Sequence, residues 1–264
     1  MGLFGKKKKT EVRRFTFLAE QIFSIRQIGI VAVGRVSGKV CVGDSVYLYY
    51  PGVPLTAAKI DKIELAPGKA AKEAENCQAA LYFENMKPEN IRKFTVISNI
   101  RANQGSDLNE AVENPELRGL LCGYKQFGND PDYRSLLNYC IAHARFLMAV
   151  YVDREPTQNG DGTATFTAGA TMSFPLVSNT DGTSAVPVFT DWETLGRWQN
   201  VFDEAHPPKT VVQTFGSAAA VSFNGNDGIV VNPFDETPLF CSNDFLKKIM
   251  DSEGYKQEFG TSNE

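Results

Sequence analysis

The stretch Gly34–Leu48 constrains the fold of the first third of the chain more than any other part of the sequence. It reads G-R-V-S-G-K-V-C-V-G-D-S-V-Y-L, with apolar residues alternating with polar ones on either side of glycines. Alternation with a period of two is typical of β-strands, and Gly38 and Gly43 permit tight turns between them. The stretch therefore predicts two short strands around one turn, followed by a third strand.

The same pattern continues on both sides, so residues 11–100 are predicted to be all-β. Many short strands at regular spacing favour a closed barrel, because closure removes exposed strand edges. The further segments with this pattern are Gln21–Ile25, Ile28–Val36, Leu55–Leu65, Gln78–Phe83 and Phe94–Ile100.

This all-β region resembles a known family. F-S-I at Phe23–Ile25, followed by V-A-V-G-R-V-S-G-K-V-C-V-G-D-S-V, looks like the second domain of translational GTPases such as elongation factor Tu. The resemblance covers about residues 11–100 and implies a translation-factor-like β-barrel. It weakens at Gln27–Gly29, where that family usually has glycine-arginine-glycine. Further matching segments are Lys59–Leu65, Glu73–Leu81 and Asn90–Ser98.

The motifs for GTP hydrolysis are missing from the chain. No G-x-x-x-x-G-K-[ST] loop is present to hold phosphates, and no N-K-x-D motif is present to bind the guanine base. We therefore expect no GTP binding by that machinery and predict that the barrel serves as a docking module.

The rest of the chain mixes helix and strand patterns, so a layered α+β domain follows the barrel. Asn114 before Pro115, and Asp130 before Pro131, are typical helix starts, and Thr190 with Glu193 matches a capping box. The predicted organisation is a disordered basic tail at 1–10, the barrel at 11–100, a helical connector at 101–129, the α+β domain at 130–255 and a flexible tail at 256–264.

The α+β domain also resembles a family. The resemblance rests on three segments: F-P-L-V-S-N-T-D-G-T-S-A-V-P-V-F-T-D-W at Phe174–Trp192, L-x-x-W at Leu195–Trp198 and G-I-V-V-N-P-F at Gly228–Phe234. They are similar to the N-terminal domain of the SseB family, over roughly residues 130–250. The resemblance implies a fold and brings no catalytic activity with it.

Composition argues against several other classes. The five cysteines are scattered without a C-x-x-C pair, and two histidines add little, so we expect no metal site and no cofactor. No apolar run approaches the roughly 18 residues of a membrane-spanning helix. The start, M-G-L-F-G-K-K-K-K, lacks the apolar segment of a signal peptide, and Lys6 breaks the myristoylation pattern. We expect a cytoplasmic protein with no membrane partner.

Charge is distributed unevenly along the chain. Residues 11–100 contain twelve basic and nine acidic side chains, whereas 101–264 contain eleven basic and twenty-two acidic ones. A phosphate backbone needs clustered cations, so the C-terminal part is not expected to bind nucleic acid. The tail, with Lys6, Lys7, Lys8 and Lys9, is a candidate contact for RNA or another anionic surface, unless it is simply solvated.

Polar side chains follow several predicted strands. In open α/β sheets, ligands meet the chain beyond the carboxyl ends of the strands. If the strands before Asp153, Thr190, Asp191 and Asn232 are parallel neighbours, these residues converge at one edge. Trp192 beside them could anchor a partner, although tryptophan at helical spacing is more often part of a core. We predict a ligand or partner site there and no catalytic residues.

The favoured function is that of a non-enzymatic, cytoplasmic interaction or regulatory protein that binds a protein partner or a small ligand. One alternative is an RNA- or ribosome-associated factor that uses the barrel and the basic tail. An uncharacterised enzyme is a further alternative, although the sequence contains no recognisable catalytic motif such as G-x-S-x-G.

Overall fold

A computed structural model of the chain describes residues 13–103, 110–154, 157–159, 164, 165, 168–198 and 208–260. The predicted basic tail, including Lys6–Lys9, lies outside the described residues. The described residues up to Leu48, together with Pro54–Ile100, form one compact unit. Tyr49–Val53 and the described residues from Arg101 onward form a second unit.

The first unit is a nine-stranded sheet, in agreement with the all-β character predicted from the sequence. Antiparallel pairing joins β1 to β2 and β9, β2 to β7 and β8, β3 to β4, and β5 to β6 and β8. Its order is β4-β3-β9-β1-β2-β8-β5-β6, with β7 also paired to β2. No pairing among the described strands joins β4 to β6, so the closure of the predicted barrel is not seen. The strands are β1 Phe15–Ile25, β2 Gly29–Cys41, β3 Ser45–Tyr49, β4 Thr56–Lys59, β5 Lys62–Ala66, β6 Lys69–Ala71, β7 Glu73–Glu75, β8 Gln78–Phe83 and β9 Val96–Ser98, with a 3-10 turn at Pro88–Asn90.

The long hairpin of β1 and β2 forms the centre of this sheet. Phe17 pairs with Val36, and the register shifts by one residue between Ala19 and Gln21. Its inward residues, among them Phe17, Ile30 and Val36, are buried with Leu81 and Ile97 from other strands. Burial of one face explains the period of two in the sequence, because alternate side chains point to opposite faces of a strand.

The second unit contains helices and sheets, in agreement with the predicted α+β character. The helix that follows Asp130 begins where the sequence predicts, because the Asp130 side chain accepts hydrogen bonds from the backbone N–H groups of Asp132 and Tyr133. The elements are α1 Pro115–Phe127, α2 Pro131–His143, β10 Arg145–Val152, β11 Thr157–Gln158, β12 Ala164–Thr165, β13 Met172–Ser173, β14 Val177–Ser178, β15 Ser184–Val188, α3 Trp192–Gly196, β16 Lys209–Thr214, α4 Phe215–Ser222, β17 Gly228–Val231, β18 Leu239–Ser242, α5 Asn243–Met250 and α6 Glu253–Phe259.

Two sheets organise this unit. One has the order β13-β10-β16, and the other has the order β14-β15-β17-β18. Within the second sheet β15 and β17 are parallel, while the other pairs are antiparallel. An antiparallel bridge between Leu147 and Phe189 connects β10 to the residue that follows β15. Among the described helices, none has the length and apolar character needed to span a membrane.

Candidate functional site

The parallel strands β15 and β17 end at the same level of their sheet. Val188, the last residue of β15, lies opposite Val231, the last residue of β17. The backbone N–H of Asn232 donates to the carbonyl oxygen of Val188 over 2.9 Å. The residues that follow the two strands therefore emerge together at one edge of the sheet, and they define the candidate site.

Thr190 and Asn232 form a buried pair at this edge. The Thr190 backbone N–H donates to Asn232 Oδ1 over 3.0 Å, and Asn232 Nδ2 donates to Thr190 Oγ1 over 2.9 Å. Asn232 has a φ of 48°, a left-handed conformation that asparagine adopts more readily than most residues. Both residues are at most 1% exposed. These hydrogen bonds fix the two strand ends against each other.

Asp191 links this pair to α3. Its Oδ1 accepts a hydrogen bond from the backbone N–H of Thr194 over 3.0 Å, and its Oδ2 accepts one from Thr190 Oγ1 over 2.8 Å. Asp191 is therefore the residue that caps α3, so the predicted capping box, which assigned this position to Thr190, is wrong by one residue. The reason is that the Thr190 hydroxyl is directed to Asp191 and Asn232 and not to the helix.

Asn114 joins the same cluster from the start of α1. The sequence correctly places a helix start here, but the Asn114 side chain does not cap it. Its Nδ2 donates instead to the carbonyl oxygens of Thr190, over 2.7 Å, and Arg145, over 2.9 Å. Asn114 Oδ1 is buried and has no hydrogen-bond partner among the described residues. No sequence signal marked Asn114 as part of a site.

An ion-pair network covers the cluster. Arg118 Nη1 lies 2.9 Å from Glu193 Oε2 and 3.5 Å from Asp191 Oδ2. Arg197 Nη2 lies 2.9 Å from Glu193 Oε1, and Arg197 Nη1 also pairs with Asp235. Sequence reasoning did not find the two arginines. The partners of Arg118 are more than 70 residues away in sequence, and Arg197 joins its near neighbour Glu193 to the distant Asp235.

The network shifts the pKa values of its members in both directions. The hydrogen bond from Arg118 is the main reason why the pKa of Glu193 falls to about 2. Burial raises the pKa of Asp235, although the Arg197 charge opposes this. Burial alone would lower the pKa of Arg118, but its hydrogen bond with Glu193 and the charge of Asp191 raise it overall. At neutral pH the network therefore has charged guanidinium groups and a firmly ionised Glu193.

Aromatic side chains flank the network. Trp198 is buried and stacks on Phe189 and Phe234, with ring centroids 5.5 and 5.9 Å apart. Phe234 is 43% exposed, and Trp192, at the start of α3, is 44% exposed. Trp198 is thus a core residue of the unit, whereas Trp192 presents its ring to solvent beside Asp191.

Asp153 lies elsewhere, so its predicted convergence with the other residues is wrong. It follows β10, which runs antiparallel to the residue after β15, as the bridge between Leu147 and Phe189 shows. The amino end of β10 is therefore the end near Thr190. The Asn114 side chain donates hydrogen bonds to the carbonyl oxygens of both Thr190 and Arg145, the first residue of β10. Asp153 instead pairs with Thr171, whose N–H donates to its Oδ1 over 2.9 Å.

A second cluster of ionisable groups lies between α1 and α2. The pKa of Glu116 is raised by burial, and Glu116 interacts with Cys140 and His143. Burial also raises the pKa of Cys140 well above its usual value, which keeps it a thiol and a poor nucleophile at neutral pH.

Within the described parts of the chain, no group of three or more His, Cys, Asp or Glu side chains is arranged to hold a metal ion.

Replacing Glu116 by glutamine is expected to stabilise the second unit at neutral pH. A carboxyl group whose pKa is raised in the folded state destabilises the fold as the pH rises above the pKa of the same group in the unfolded chain. The reason is that the group ionises more readily in the unfolded chain than in its buried position. We expect the gain for Glu116→Gln to be larger at pH 7 than at pH 4, measured by urea unfolding followed by tryptophan fluorescence. Glu253→Gln, on the exposed surface of α6, is the matched control. Equal changes at both pH values would contradict the expectation.

Comparison with known proteins identifies the second unit. The family model described as the SseB protein N-terminal domain matches residues 117–248. No curated protein matches the chain. Among solved structures, the C-terminal domain of a candidate U32 peptidase from Geobacillus thermoleovorans is similar, with 17% identity and a TM-score of 0.27 over 32% of this chain and 89% of that domain. A similarity of that size supports no conclusion about fold or activity.

Proposed function

Because the chain belongs to the SseB family through residues 117–248, we propose that it is a non-enzymatic, cytoplasmic interaction protein that binds a protein partner. The binding surface in this proposal is the edge surface, defined as Trp192, Glu193, Arg197, Phe234 and Asp235. It belongs to the family domain and lies at the carboxyl ends of β15 and β17. In open α/β sheets, ligands bind beyond the carboxyl ends of parallel strands, and β15 and β17 are such a pair.

One observation carries the proposal: the exposed aromatic and charged side chains belong to segments whose backbone is held in place by buried hydrogen bonds. Trp192 and Phe234 are almost half exposed, whereas Thr190, Asp191 and Asn232, which precede them in the chain by at most two residues, are buried and linked by hydrogen bonds. Tryptophan and arginine are enriched among residues that dominate binding energies. A surface that is ordered before binding loses less conformational entropy when the partner docks.

In this proposal the first unit is a translation-factor-like barrel that serves as a second docking module without GTP. Support comes from the sequence phrase at Gly34–Leu48 and from the antiparallel order of its strands. An RNA- or ribosome-associated role is the alternative. It is favoured by the twelve basic against nine acidic side chains in residues 11–100 and by Lys6–Lys9.

Site-specific photo-cross-linking tests the proposed surface. We expect p-benzoylphenylalanine at position 192 of the full chain to give a discrete adduct with a protein in the producing cells, because the Trp192 side chain is 44% exposed at the edge surface. The matched control places the same group at position 172, where Met172 is 41% exposed at the far end of β10.

The outcomes separate the two functions. An adduct from position 192 that protease destroys and that position 172 does not give would support the edge surface. An adduct that ribonuclease destroys would favour the RNA alternative. The same adducts from both positions, or none from position 192, would contradict the proposed surface.

A further inference from the structure

His143, the last residue of α2, interacts with groups from three helices. Its ring stacks on Tyr139 with ring centroids 3.7 Å apart, and Phe259 of α6 meets the ring edge-on at 5.0 Å. Glu258, also on α6, lies beside its Nε2, and the charge of His143 acts on Glu116 of α1. One titratable ring thus connects the end of α2 with both α1 and α6.

Both ring nitrogens of His143 lie next to oxygen atoms. Nδ1 is 2.7 Å from the carbonyl oxygen of Tyr139, and because a carbonyl oxygen only accepts hydrogen bonds, Nδ1 carries a proton. Nε2 is 2.9 Å from Glu258 Oε1, an ion-pair distance, although it is buried and forms no aligned hydrogen bond within the described residues. In the neutral ring, Nε2 would place a lone pair beside this carboxylate, which is unfavourable. The contacts therefore favour the imidazolium, which is protonated at both nitrogens.

The groups that face His143 leave two carboxyl groups as its charged partners. Burial is the main reason why the pKa values of Tyr139 and Cys140 are raised, so both side chains are neutral at neutral pH. Burial also raises the pKa of Glu116, but the charge of His143 acts in the opposite direction. The helix α4, which also packs on α2, contains no ionisable side chain. A positive charge on the ring is attracted by both Glu116 and Glu258 when these are ionised.

The helix α6 is held by few contacts, so the ion pair with His143 has a large share in its position. None of its residues is buried. The Tyr255 ring meets Phe215 edge-on at 5.8 Å, and burial raises the pKa of Tyr255, which therefore stays neutral at neutral pH. Lys256 Nζ lies 3.1 Å from Asp251 Oδ1, but both side chains are more than half exposed, and such pairs contribute little to stability.

We propose that α6 is a pH-dependent strap, which the protonated ring of His143 holds against the end of α2 and which loosens when the ring loses its proton. Imidazole groups ordinarily change charge near about pH 6.5. The contact with Glu258 exists only while α6 is docked and favours the proton, so docking is strengthened at lower pH and weakened as the pH rises. Loosening of α6 would uncover Phe215, which is 1% exposed. This inference is independent of the edge surface and of its partner.

Hydrogen-exchange mass spectrometry of the full chain tests the strap. Exchange is expressed as protection factors, which removes the intrinsic dependence of amide exchange on pH. We expect the protection of peptides that cover α6 to fall between about pH 5.5 and 8, the range in which an imidazole loses its proton. The expected fall is about threefold to fivefold, as the loss of one partly exposed ion pair predicts.

Variants assign the effect to one contact. Glu258→Gln and His143→Gln each remove one charge of the pair, so α6 should exchange at the same, faster level at both ends of the pH range. His143→Arg keeps its positive charge throughout, so protection should stay nearly constant with pH. Glu253→Gln removes a negative charge from the exposed first turn of α6, and it should keep the pH dependence of the unaltered chain. Circular dichroism of each variant confirms that it is folded.

Protection of α6 that does not change with pH in the unaltered chain would overturn the inference. So would an unchanged pH dependence in Glu258→Gln, or its loss in Glu253→Gln. Glu116→Gln separates the two carboxyl groups, and the dependence should persist in this variant because Glu116 lies on α1. If Glu116→Gln abolishes the dependence and Glu258→Gln does not, the pH response belongs to the contact of α1 with α2, and the strap is rejected.

Discussion

Replacement of Asp191 by alanine is expected to lower the free energy of unfolding of the second unit by about 3 to 5 kcal/mol, the usual cost of removing one partner from a buried charged network. The change removes the cap of α3 and the acceptor of the Thr190 hydroxyl. It also removes one of the carboxylates that face Arg118, which is only 22% exposed at its side chain. Each loss leaves a buried polar group with fewer partners, which costs part of the desolvation free energy of that group.

The measurement is urea unfolding followed by tryptophan emission. Trp192 and Trp198 are the two tryptophans of the chain and both belong to the second unit, so the signal reports on that unit. Asp191→Asn keeps the size of the side chain and one acceptor oxygen but replaces the other oxygen with an NH2 group and removes the charge, so we expect an intermediate loss. Asp244→Ala, at an exposed position of α5, is the control and should cost less than about 1 kcal/mol. A loss as small as this control for Asp191→Ala would show that the cluster does not hold the edge together.

Replacement of Gly34 by alanine is expected to destabilise the first unit by at least about 3 kcal/mol, at the upper end of costs for overfilling a packed site. A Cβ at this position would lie 1.9 Å from the carbonyl oxygen of Leu18, on the strand that pairs with it. Backbone atoms in a hydrogen-bonded ladder cannot move aside without breaking the pairing of β1 with β2. The expected defect is therefore opening of the central hairpin.

The control separates steric overlap from backbone strain. Gly68 has a φ of +72°, but a Cβ there would have no heavy atom within 4 Å. Gly68→Ala should therefore lower the free energy of unfolding only by the cost of placing an L-residue in a left-handed backbone conformation, about 1 to 2 kcal/mol. Hydrogen-exchange mass spectrometry of peptides from β1 and β2 measures both variants, because the tryptophans do not report on this unit. Equal protection of these peptides in the two variants would contradict the steric explanation.

The all-β character of the first unit could be predicted because one face of the sheet is buried. The turn predicted at Gly38 is wrong, because β2 continues through this residue from Gly29 to Cys41. Phe17, Val36 and Leu81 occupy the inner face and are fully buried, which imposes alternation on the sequence. Alternation alone does not decide whether a sheet closes, and the predicted closure into a barrel is not seen among the described strands. Alternation specifies which face of a strand is buried, whereas closure depends on pairing between strands that are distant in sequence.

The candidate site was predictable only where it follows local rules. Thr190, Asp191 and Asn232 come directly after strands, and the parallel pairing of β15 with β17 brings them to one edge. The position of Asp153 depends on the direction of β10, which nothing near Asp153 in the sequence reveals. The network that completes the site is equally non-local.

Two contacts show how non-local that network is. Asn114 reaches Thr190 across 76 residues of sequence, and Arg118 reaches Asp191 across 73. Such contacts depend on how α1 packs, and hydrophobic periodicity says little about which polar residue of a helix meets a distant loop. The polar cover of the site was therefore visible only in the structure.

Burial of Cys241 makes the rate of thiol labelling at this residue a measure of local opening in the second unit. Its side chain is 1% exposed, and burial raises its pKa to about 12. Thiol reagents attack the thiolate, so Cys241 is protected both by exclusion of the reagent and by suppression of its reactive form. Each transient separation of β18 from its surroundings would expose the sulfur, and the labelling rate at Cys241 consequently records how often the sheet that carries Asn232 opens.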